Sequence, residues 1–542
     1  MALAAAMLEE IESMMAPSGF DYVVVCCSNL SAETFWQARL EKTLGEVTGF
    51  AGKVVCVHED WNGGAGNGLG TLYAFQKACA KSGVDLTKAM FDGASVAIYH
   101  TAGKGTRMAP LPGAENNNKP GVKLPGLLTV EGEHVPITVL ESVMRQTSAY
   151  AKLRPGRCSV FWGDQVFVPS VGTKGSTAPA DILAALRPMP TKEQWEEEQL
   201  HQYGLIAVDS KGGATQLEKV TYDVAVRYLP EDVVQERQGP PPPHSIPLLP
   251  EHRTSLLLAP QVGTSLGSFS LSAKLTEALL AEFAPELKEK KISLDSDPHF
   301  WMPLTLKESD YVAVMGKKGT PQDEALAHYK RMSDFKVRLG VQDVLGCVDV
   351  GQQAYWWDYG RLELYMTNNL FITEESPSAH ALRTFMKLGA ARQAHNSLGE
   401  GVTVDPSAVV LNCTIGKGRI GPNSVLVNVH APSVDVEGCV IMQTTSVSEI
   451  IGKGGLLYNV VNNAGTLACD AVRADVFMPG GTQLEMKSSL AIDGGKVWKE
   501  KLDMNALSFE DVYKQNQALD VSECTQEAAR AHAAARAKMA AA

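Results

Sequence analysis

From Asp21 to about Asn369, short runs of β-branched residues alternate with stretches of helical pattern. The runs are DYVVVCC, KVVCVHE, SVAIYH and CSVFWGDQVF, and the helical stretches include AETFWQARLEKTLG and PITVLESVMRQTSAYAK. Continuous apolar strands separated by helices form a mainly parallel sheet that is covered on both faces. We therefore predict an α/β fold, with the Pro-rich stretch 237–253 as a surface loop.

After about Ala394 the spacing of the apolar residues changes. Gly, Asn, Pro and Ser fill the gaps between aliphatic residues that lie five or six positions apart, namely Val404, Val410, Ile415, Ile420 and Val425. This spacing is typical of a parallel β-helix, in which each coil stacks an aliphatic side chain inward. We expect a first domain over 1–393, a short left-handed β-helix over 394–490 and a helical tail over 491–542, whose Ala-rich end should fray.

Composition limits the partners and the compartment. A chain of 542 residues is too long for one core. A net charge of −12 disfavours nucleic-acid binding, although a local cluster of Lys and Arg can still hold a small anion. The ten cysteines are scattered without a C-x-x-C pair, which indicates a reducing compartment, and we expect a cytoplasmic protein. We expect no membrane partner, since no apolar stretch is long enough to span a bilayer.

The segment HTAGKGTRMAPLPGAENNNKP, His100–Pro120, directly follows the apolar run SVAIY. A glycine loop at the carboxyl end of a strand lies at the sheet edge where open α/β sheets bind ligands. Gly103 and Gly105 allow the backbone N–H groups to form an anion nest, and Arg107 and Lys119 supply charge for a triphosphate. The segment does not fit the Walker A pattern. For a lone G-x-G, a flexible surface turn is the alternative.

The longer pattern AGKGTRM…P…KP resembles the signature of the sugar-1-phosphate nucleotidyltransferases, and its loop is similar to that of the N-acetylglucosamine-1-phosphate uridylyltransferases. The resemblance implies a Rossmann-like, mainly parallel mixed sheet. It also implies that Arg107 and Lys119 contact the phosphates and stabilise the leaving pyrophosphate. The nucleotide would be bound by the glycine loop, residues 102–107, through Ala102, Gly103, Lys104, Gly105 and Thr106.

Further segments resemble other landmarks of this family, in the family's order. FWGDQVF and YWWDYGRLELYMTNNL imply two magnesium ligands, Asp164 and Asp358, although Arg361 replaces the usual Thr. Taken alone, Asp164 could be a strand-end turn residue and Asp358 a helix N-cap.

The segments YGLIAVDSKGGATQLEKV and TSLGSFSLSAKLTEALL resemble the family's sugar-binding stretches. They imply that Gly204, Glu218, Lys219 and Gly267 surround the sugar, although Val220 replaces the usual Pro. Taken alone, the pair Glu218–Lys219 would be a solvated surface pair.

These matches imply an enzyme that transfers a nucleoside monophosphate from an NTP to a sugar 1-phosphate, with Mg²⁺ as cofactor. Two carboxylates suit Mg²⁺, and the attacking phosphate is already ionised, so no protein nucleophile is required. The loop favours UTP and the segment order favours GTP, and both remain open. The alternative is a catalytically silent homologue that acts as a regulatory or scaffold subunit. Self-association through the β-helix is a further expectation.

The segment order departs from that of the family, because units that usually follow the glycine loop precede it here. A similar layout occurs in the fucose-1-phosphate guanylyltransferases. We therefore expect a circularly rearranged sheet in which residues 1–94 complete the sheet and SVAIYH is a central strand. Asn67, Gly68 and Gly70 would then line the base pocket. An ordinary βα extension with a glycine turn is the alternative.

Overall fold

The computed structural model describes residues 2–101, 103–209, 212–229, 261–390 and 392–541. Ala102 and the Pro-rich stretch 237–253 lie outside the described residues, so their predicted roles stay predictions. The first part of the described chain contains three sheets: one large mixed sheet and two sheets of two strands each. Their strands are β1 (Tyr22–Cys27), β2 (Lys53–His58), β3 (Val96–His100), β4 (Lys123–Val130), β5 (Glu133–Thr138), β6 (Arg157–Trp162), β7 (Gln165–Val168), β8 (Ala180–Pro188), β9 (Gly204–Val208), β10 (Ala214–Glu218), β11 (Gln261–Ser272), β12 (Leu345–Asp349) and β13 (Tyr355–Asp358).

The largest of these sheets is parallel in one half and mainly antiparallel in the other. Strands β2, β1, β3 and β6 lie side by side in that order, and all are parallel. The long strand β11 then pairs antiparallel with β6, with β9 and, along its other edge, with β8. Strand β12 extends the sheet beyond β8, and β10 extends it beyond β9. The sequence prediction that SVAIYH is central is confirmed, since β1 and β6 flank β3.

Helices cover both faces of this sheet. Along β1, Val23 and Val25 pack into one core, whereas Val24 and Cys26 pack into another, as expected for a strand buried on both sides. The helices and helical turns are Ala2–Met15, Leu30–Thr48, Gly66–Ser82, Leu86–Phe91, Leu111–Ala114, Val139–Thr147, Lys192–Glu197, Tyr222–Val226, Ala273–Glu282, Ala284–Glu289, Asp297–Trp301, Met302–Thr305, Glu308–Lys317, Gln322–Leu339, Leu362–Phe371, Pro377–Phe385, Phe509–Gln517 and Val521–Ala541.

Local signals explain where these helices begin and end. Asn29 caps the helix Leu30–Thr48 by accepting a hydrogen bond from the Ala32 amide, and Gly49 ends that helix in the left-handed conformation. Thr138 and Glu141 form a capping box at the start of the helix Val139–Thr147.

The second large sheet is a twelve-stranded ladder that begins at Gln393. Its pairings are parallel, with β24 and β25 as the antiparallel exception. The strands are β14 (Gln393–Ala394), β15 (Ser397–Val404), β16 (Val409–Leu411), β17 (Thr414–Ile420), β18 (Val425–Glu437), β19 (Val440–Ser446), β20 (Ile450–Lys453), β21 (Leu456–Tyr458), β22 (Val461–Asn462), β23 (Leu467–Ala468), β24 (Val472–Met478) and β25 (Thr482–Ser488).

The ladder repeats about every sixteen residues. Val409 pairs with Val425, Val425 with Val440, Val440 with Leu456, and Leu456 with Val472. Of the aliphatic residues picked out by the sequence spacing, Val410, Ile415 and Ile420 are buried inside the ladder and Val404 packs partly buried against them, whereas Val425 points outward into the core shared with the first sheet. Stacked parallel strands are therefore confirmed, and the left-handed form of a β-helix stays a prediction.

The ladder packs against the first sheet and its helices through a continuous apolar core. Polar contacts reinforce this packing: the Lys123 amide donates to Tyr458 Oη at 2.9 Å, and Asn412 Nδ2 donates to the His134 carbonyl at 3.1 Å. The tail forms a helix that runs to Ala541 and buries Ala535 against the ladder, and the fraying of its Ala-rich end stays a prediction. Within the described ranges, no helix combines the length and apolar character needed to cross a membrane.

Candidate active site

A cavity of about 550 Å³ opens at the carboxyl ends of β2, β3 and β6. In β3 and β6 the last residues pair directly, and the amide that follows β6 donates to the His100 carbonyl at 3.0 Å. This is the sheet edge at which parallel α/β folds bind ligands. The lining residues are Glu59, Gly64, Gly66, Asn67, His100, Thr101, Lys119, Pro120, Trp162, Gly163, Asp164 and Gln165.

Two of the predicted catalytic residues meet in this cavity. Lys119 Nζ lies 2.5 Å from Asp164 Oδ2, and both side chains are partly buried. Asp164 lies in the turn between β6 and β7, so the alternative of a strand-end turn residue describes its backbone position correctly. Its carboxylate nevertheless faces a cationic partner inside the cavity, which is the arrangement expected of a site residue.

Asp358 lies beside this pair, although the chain reaches it about two hundred residues later. It ends β13, which pairs antiparallel with β7 so that Asp358 is opposite Gln165. A β-carbon placed on Gly360 would lie 2.9 Å from Asp358 Oδ1 and 3.9 Å from Lys119 Nζ. The N-cap position of the next helix is Arg361, so the alternative that Asp358 caps this helix is wrong. Asp358 Oδ1 instead accepts a hydrogen bond from the Gly360 amide at 2.6 Å.

The residues present fit the magnesium ion that the resemblance implies. Asp164 and Asp358 offer hard oxygen donors on neighbouring strands, and Mg²⁺ commonly takes one or two carboxylates together with phosphate oxygens and water. In the part of the chain that the structure describes, no group of three or more His, Cys, Asp or Glu side chains could hold a metal.

The glycine loop lies next to Lys119. Gly103 and Gly105 have φ angles of 124° and 63°, which L side chains rarely adopt. A β-carbon on Gly105 would also lie 3.1 Å from Lys119 Cδ, so glycine at this position lets the lysine side chain pass under the loop. Thr106 begins a 3₁₀ turn that ends at Met108.

Two cations of the loop are exposed. Among the described residues, the Arg107 guanidinium has no hydrogen-bond or ion-pair partner, and Lys104 Nζ contacts the Tyr513 ring at 5.3 Å from its centroid. With Lys119, these groups form a local positive cluster on a chain of net negative charge. Such a cluster can attract a polyphosphate.

The structure places one of the three residues predicted on the base side, Asn67, in the lining of the cavity, together with Lys119 and Asp164. Its contact with the base stays a prediction. Gly68 and Gly70 are buried and are absent from the cavity lining among the described residues. The amides of Gly68 and Leu69 both donate to the Leu294 carbonyl, at 2.9 and 3.1 Å. Glycine at position 68 therefore serves close packing, since a β-carbon on Gly68 would lie 2.8 Å from that same oxygen, whereas a β-carbon on Gly70 would lie 2.9 Å from Glu59 Oε2.

The predicted sugar-binding residues divide into two places. Gly204 pairs with Glu218 at the ends of β9 and β10, and Lys219 Nζ lies 4.0 Å from Glu218 Oε1. In the described chain these three residues do not line the cavity that contains Asp164. Gly267 is different, because a β-carbon there would lie 2.5 Å from the indole nitrogen of Trp162, which does line the cavity.

The segment after Leu294 connects the two places. Asp295 Oδ1 accepts a hydrogen bond from the Asn67 amide at 2.9 Å, on the cavity side. Burial, together with the nearby negative charge of Glu218, raises the pKa of Asp297 to about 6. Glu218, with Gly204 and Lys219 beside it, thus belongs to an acidic cluster with Asp295 and Asp297.

Three of the cavity-wall residues that were not predicted as site residues lie at the ends of strands. Glu59 and His100 lie at the ends of β2 and β3, and Trp162 ends β6. Burial lowers the pKa of His100 to about 4, so its ring is neutral at pH 7, and its Nε2 lies 2.8 Å from Thr71 Oγ1. Burial and the neighbouring Asp60 raise the pKa of Glu59. Their position directly at the strand ends was the signal in the sequence that could have identified them.

No protein-family model matches the chain, and no curated protein matches it.

Proposed function

We propose that this protein is a sugar-1-phosphate nucleotidyltransferase, which makes a nucleotide sugar and pyrophosphate from an NTP and a sugar 1-phosphate. The observation that supports this most directly is the convergence of Lys119, Asp164 and Asp358 beside the glycine loop. These residues come from distant parts of the chain and have the charges that joining two phosphates requires. Strand-end position, concave shape and mixed charge are the usual features of such a site.

The chain's own residues would act by position and charge. The glycine loop would bind the triphosphate through its amides, while Arg107 and Lys119 would neutralise the charge that develops on the leaving pyrophosphate. An oxygen of the sugar phosphate attacks the α-phosphorus, and the bond from that phosphorus to the pyrophosphate oxygen breaks. Asp164 and Asp358 would hold Mg²⁺, which offsets the repulsion between the two phosphates when it is bound.

The cavity favours GTP over UTP. Glu59 Oε1 accepts a hydrogen bond from the Ala65 amide at 2.8 Å, whereas Oε2 has no hydrogen-bond partner among the described residues. Guanine presents two adjacent donors, N1–H and the 2-amino group, to a carboxylate. Uracil presents a single N–H between two carbonyl oxygens, which a carboxylate repels. A partly buried acceptor left without a donor loses free energy relative to one that is paired, so Glu59 disfavours UTP.

We also propose that the ladder is a short left-handed β-helix, since its stacked parallel strands and inward aliphatic residues support that form. We place the protein in a reducing compartment such as the cytoplasm, because all ten cysteines are free.

Pyrophosphate release with GTP and UTP against a panel of sugar 1-phosphates tests the proposed activity. We expect turnover with at least one pair, and faster turnover with GTP. If no pair reacts while the protein binds neither nucleotide, the enzyme proposal is wrong. The alternative of a regulatory or scaffold subunit would then be favoured.

A further inference from the structure

The outer side of the glycine loop is covered by a segment almost four hundred residues further along the chain. Gly494 is buried, and a β-carbon on it would lie 2.5 Å from the Thr106 carbonyl oxygen and 3.1 Å from Ala109 Cβ. A β-carbon on Gly495 would lie 3.4 Å from Arg107 Cγ. The backbone at Gly494 therefore approaches the backbone of the loop as closely as a glycine allows.

The helix Phe509–Gln517 continues this cover. Its Tyr513 ring contacts the Lys104 ammonium, and the Tyr513 carbonyl accepts a hydrogen bond from Asn117 Nδ2 at 2.7 Å. Asn516 Nδ2 donates to the Gly113 carbonyl at 2.8 Å. Apolar packing joins the same surfaces through a small core of Ala109, Val476, Met486, Phe509 and Val512.

The opposite side of the loop is open. Gly103 and Lys104 are exposed, and a β-carbon on Gly103 would meet no atom within 4 Å among the described residues. Loop conformation is thus restrained mainly from the covered side. Preorganised amides bind a polyphosphate more tightly than amides that must first be ordered, because the ordering entropy is already lost.

We propose that residues 493–513, the C-terminal cover, hold the glycine loop in its triphosphate-binding shape, with Gly494 as the main positioning residue. This inference rests on the proposed function of the loop. It assigns to the C-terminal tail a part in nucleotide binding, although the tail itself need not touch the base or the sugar.

Isothermal titration of the full-length protein with the magnesium complexes of GTP, UTP and inorganic tripolyphosphate tests this proposal. In Gly494→Ala the new methyl group must displace Thr106, so we expect the affinity for tripolyphosphate and for the preferred nucleotide to fall together, by about tenfold or more. The matched control is Gly45→Ala, on an exposed helix position where a β-carbon meets no atom within 4 Å. Its affinities should equal those of the unaltered protein.

The outcomes separate the two proposals. If the unaltered protein binds no triphosphate, the proposed function fails, and this inference fails with it. If the unaltered protein binds and a folded Gly494→Ala variant binds equally well, the C-terminal cover has no such role, while the proposed function stands. Should Gly494→Ala fail to fold, Gly495→Val decides, because Gly495 is exposed and a valine there crowds Arg107 and Thr106 of the loop together with the neighbouring Asp493 side chain. Unchanged tripolyphosphate affinity in that variant would overturn the inference.

Discussion

At the scale of single residues, the two aspartates in and beside the cavity, Asp164 and Asp358, are the sharpest test of the chemistry. Asp164→Asn and Asp358→Asn each keep the size of the side chain and remove its negative charge. Since the proposed catalysis depends on charge stabilisation, turnover should fall about 10²-fold or more in each variant. Both side chains are only partly buried, so the melting temperature should change little. Pyrophosphate release and thermal unfolding measure the two quantities.

A suitable control for these variants is Asp435→Asn. Asp435 is exposed on the ladder and pairs with Arg419, far along the chain from the cavity residues. Its turnover should equal that of the unaltered enzyme. Near-normal turnover in either cavity variant would remove that aspartate from the metal site.

A second prediction at the residue scale concerns Glu59 and the preference for GTP over UTP. Glu59→Gln replaces an acceptor of two guanine donors by a group that is half donor, so the preference for GTP over UTP in kcat/KM should fall about tenfold or more. Because burial raises the pKa of Glu59 above its ordinary value, protonation removes the acceptor pair as the pH falls from neutral into the acidic range. The GTP preference of the unaltered enzyme should therefore decline as the pH falls, whereas that of the variant should be flat.

Kinetics with both nucleotides across this pH range measure the effect. Glu41→Gln, at an exposed position of the helix Leu30–Thr48, is the control and should leave the preference unchanged. A preference in Glu59→Gln that matches the unaltered enzyme at every pH would show that this carboxylate does not recognise the base.

At this scale the sequence predicted residues whose role depends on a local pattern. Gly105, Lys119 and Asp164 follow strands in recognisable motifs, and the structure brings them together. Gly68 belonged to an equally conspicuous run of glycines, yet its N–H donates to Leu294. Glycine serves both ligand approach and close packing, so its identity alone does not separate the two. The role of such a glycine is decided by the group that packs against it, and that group is distant in sequence.

At the scale of elements, the helix Val521–Ala541 and the ladder share a buried histidine. His532 Nδ1 lies 2.9 Å from Thr445 Oγ1, and Nε2 lies 3.2 Å from Asn459 Oδ1. Burial lowers the pKa of His532 to about 3, with smaller contributions from Arg536 and His430. The packed helix is therefore held by a neutral imidazole.

This histidine predicts how stability depends on pH. The pKa in the folded protein is below the unfolded value of about 6.5, so the unfolded chain binds a proton that the folded chain does not. The contribution of His532 is complete above pH 6.5 and is lost as the pH falls toward 3. When the pH falls from 7.5 to 5, the free energy of unfolding should decline by about 2 kcal/mol less in His532→Gln than in the unaltered protein. Urea unfolding at both values measures it, and equal declines in the two proteins would contradict the assignment.

Helices and strands could be predicted where the sequence signal for them lies within one short segment. Strand β3 and the capping box at Thr138 follow from short patterns, and the inward aliphatic residues of the ladder follow from their spacing. The Ala-rich end of the last helix looked prone to fraying, since it offers few large apolar groups. It is stabilised by the ladder surface around Phe477, a tertiary contact that helix propensity does not contain.

At the scale of the whole molecule, the site depends on contacts that join the two ends of the chain. Asp358 reaches Asp164 through the pairing of β13 with β7, and Gly494 reaches Thr106 across the face of the ladder. The family resemblance placed Asp358 at the site in advance. No motif marked Gly494, because its importance lies in the space it leaves for another backbone.

Removing the ladder and tail tests this dependence. A chain that ends at residue 393 would expose the core surfaces that Val409, Val425 and Tyr458 now cover. Burial of apolar area contributes about 25 cal/mol per Å², so the exposed patch should drive association or precipitation. We expect larger species in sedimentation velocity and loss of triphosphate binding. A truncation after Leu519 leaves the C-terminal cover in place and should still bind triphosphate, with a lower melting temperature. A monodisperse 1–393 fragment that binds GTP as the full chain does would show that the first sheet and its loop are complete without the ladder.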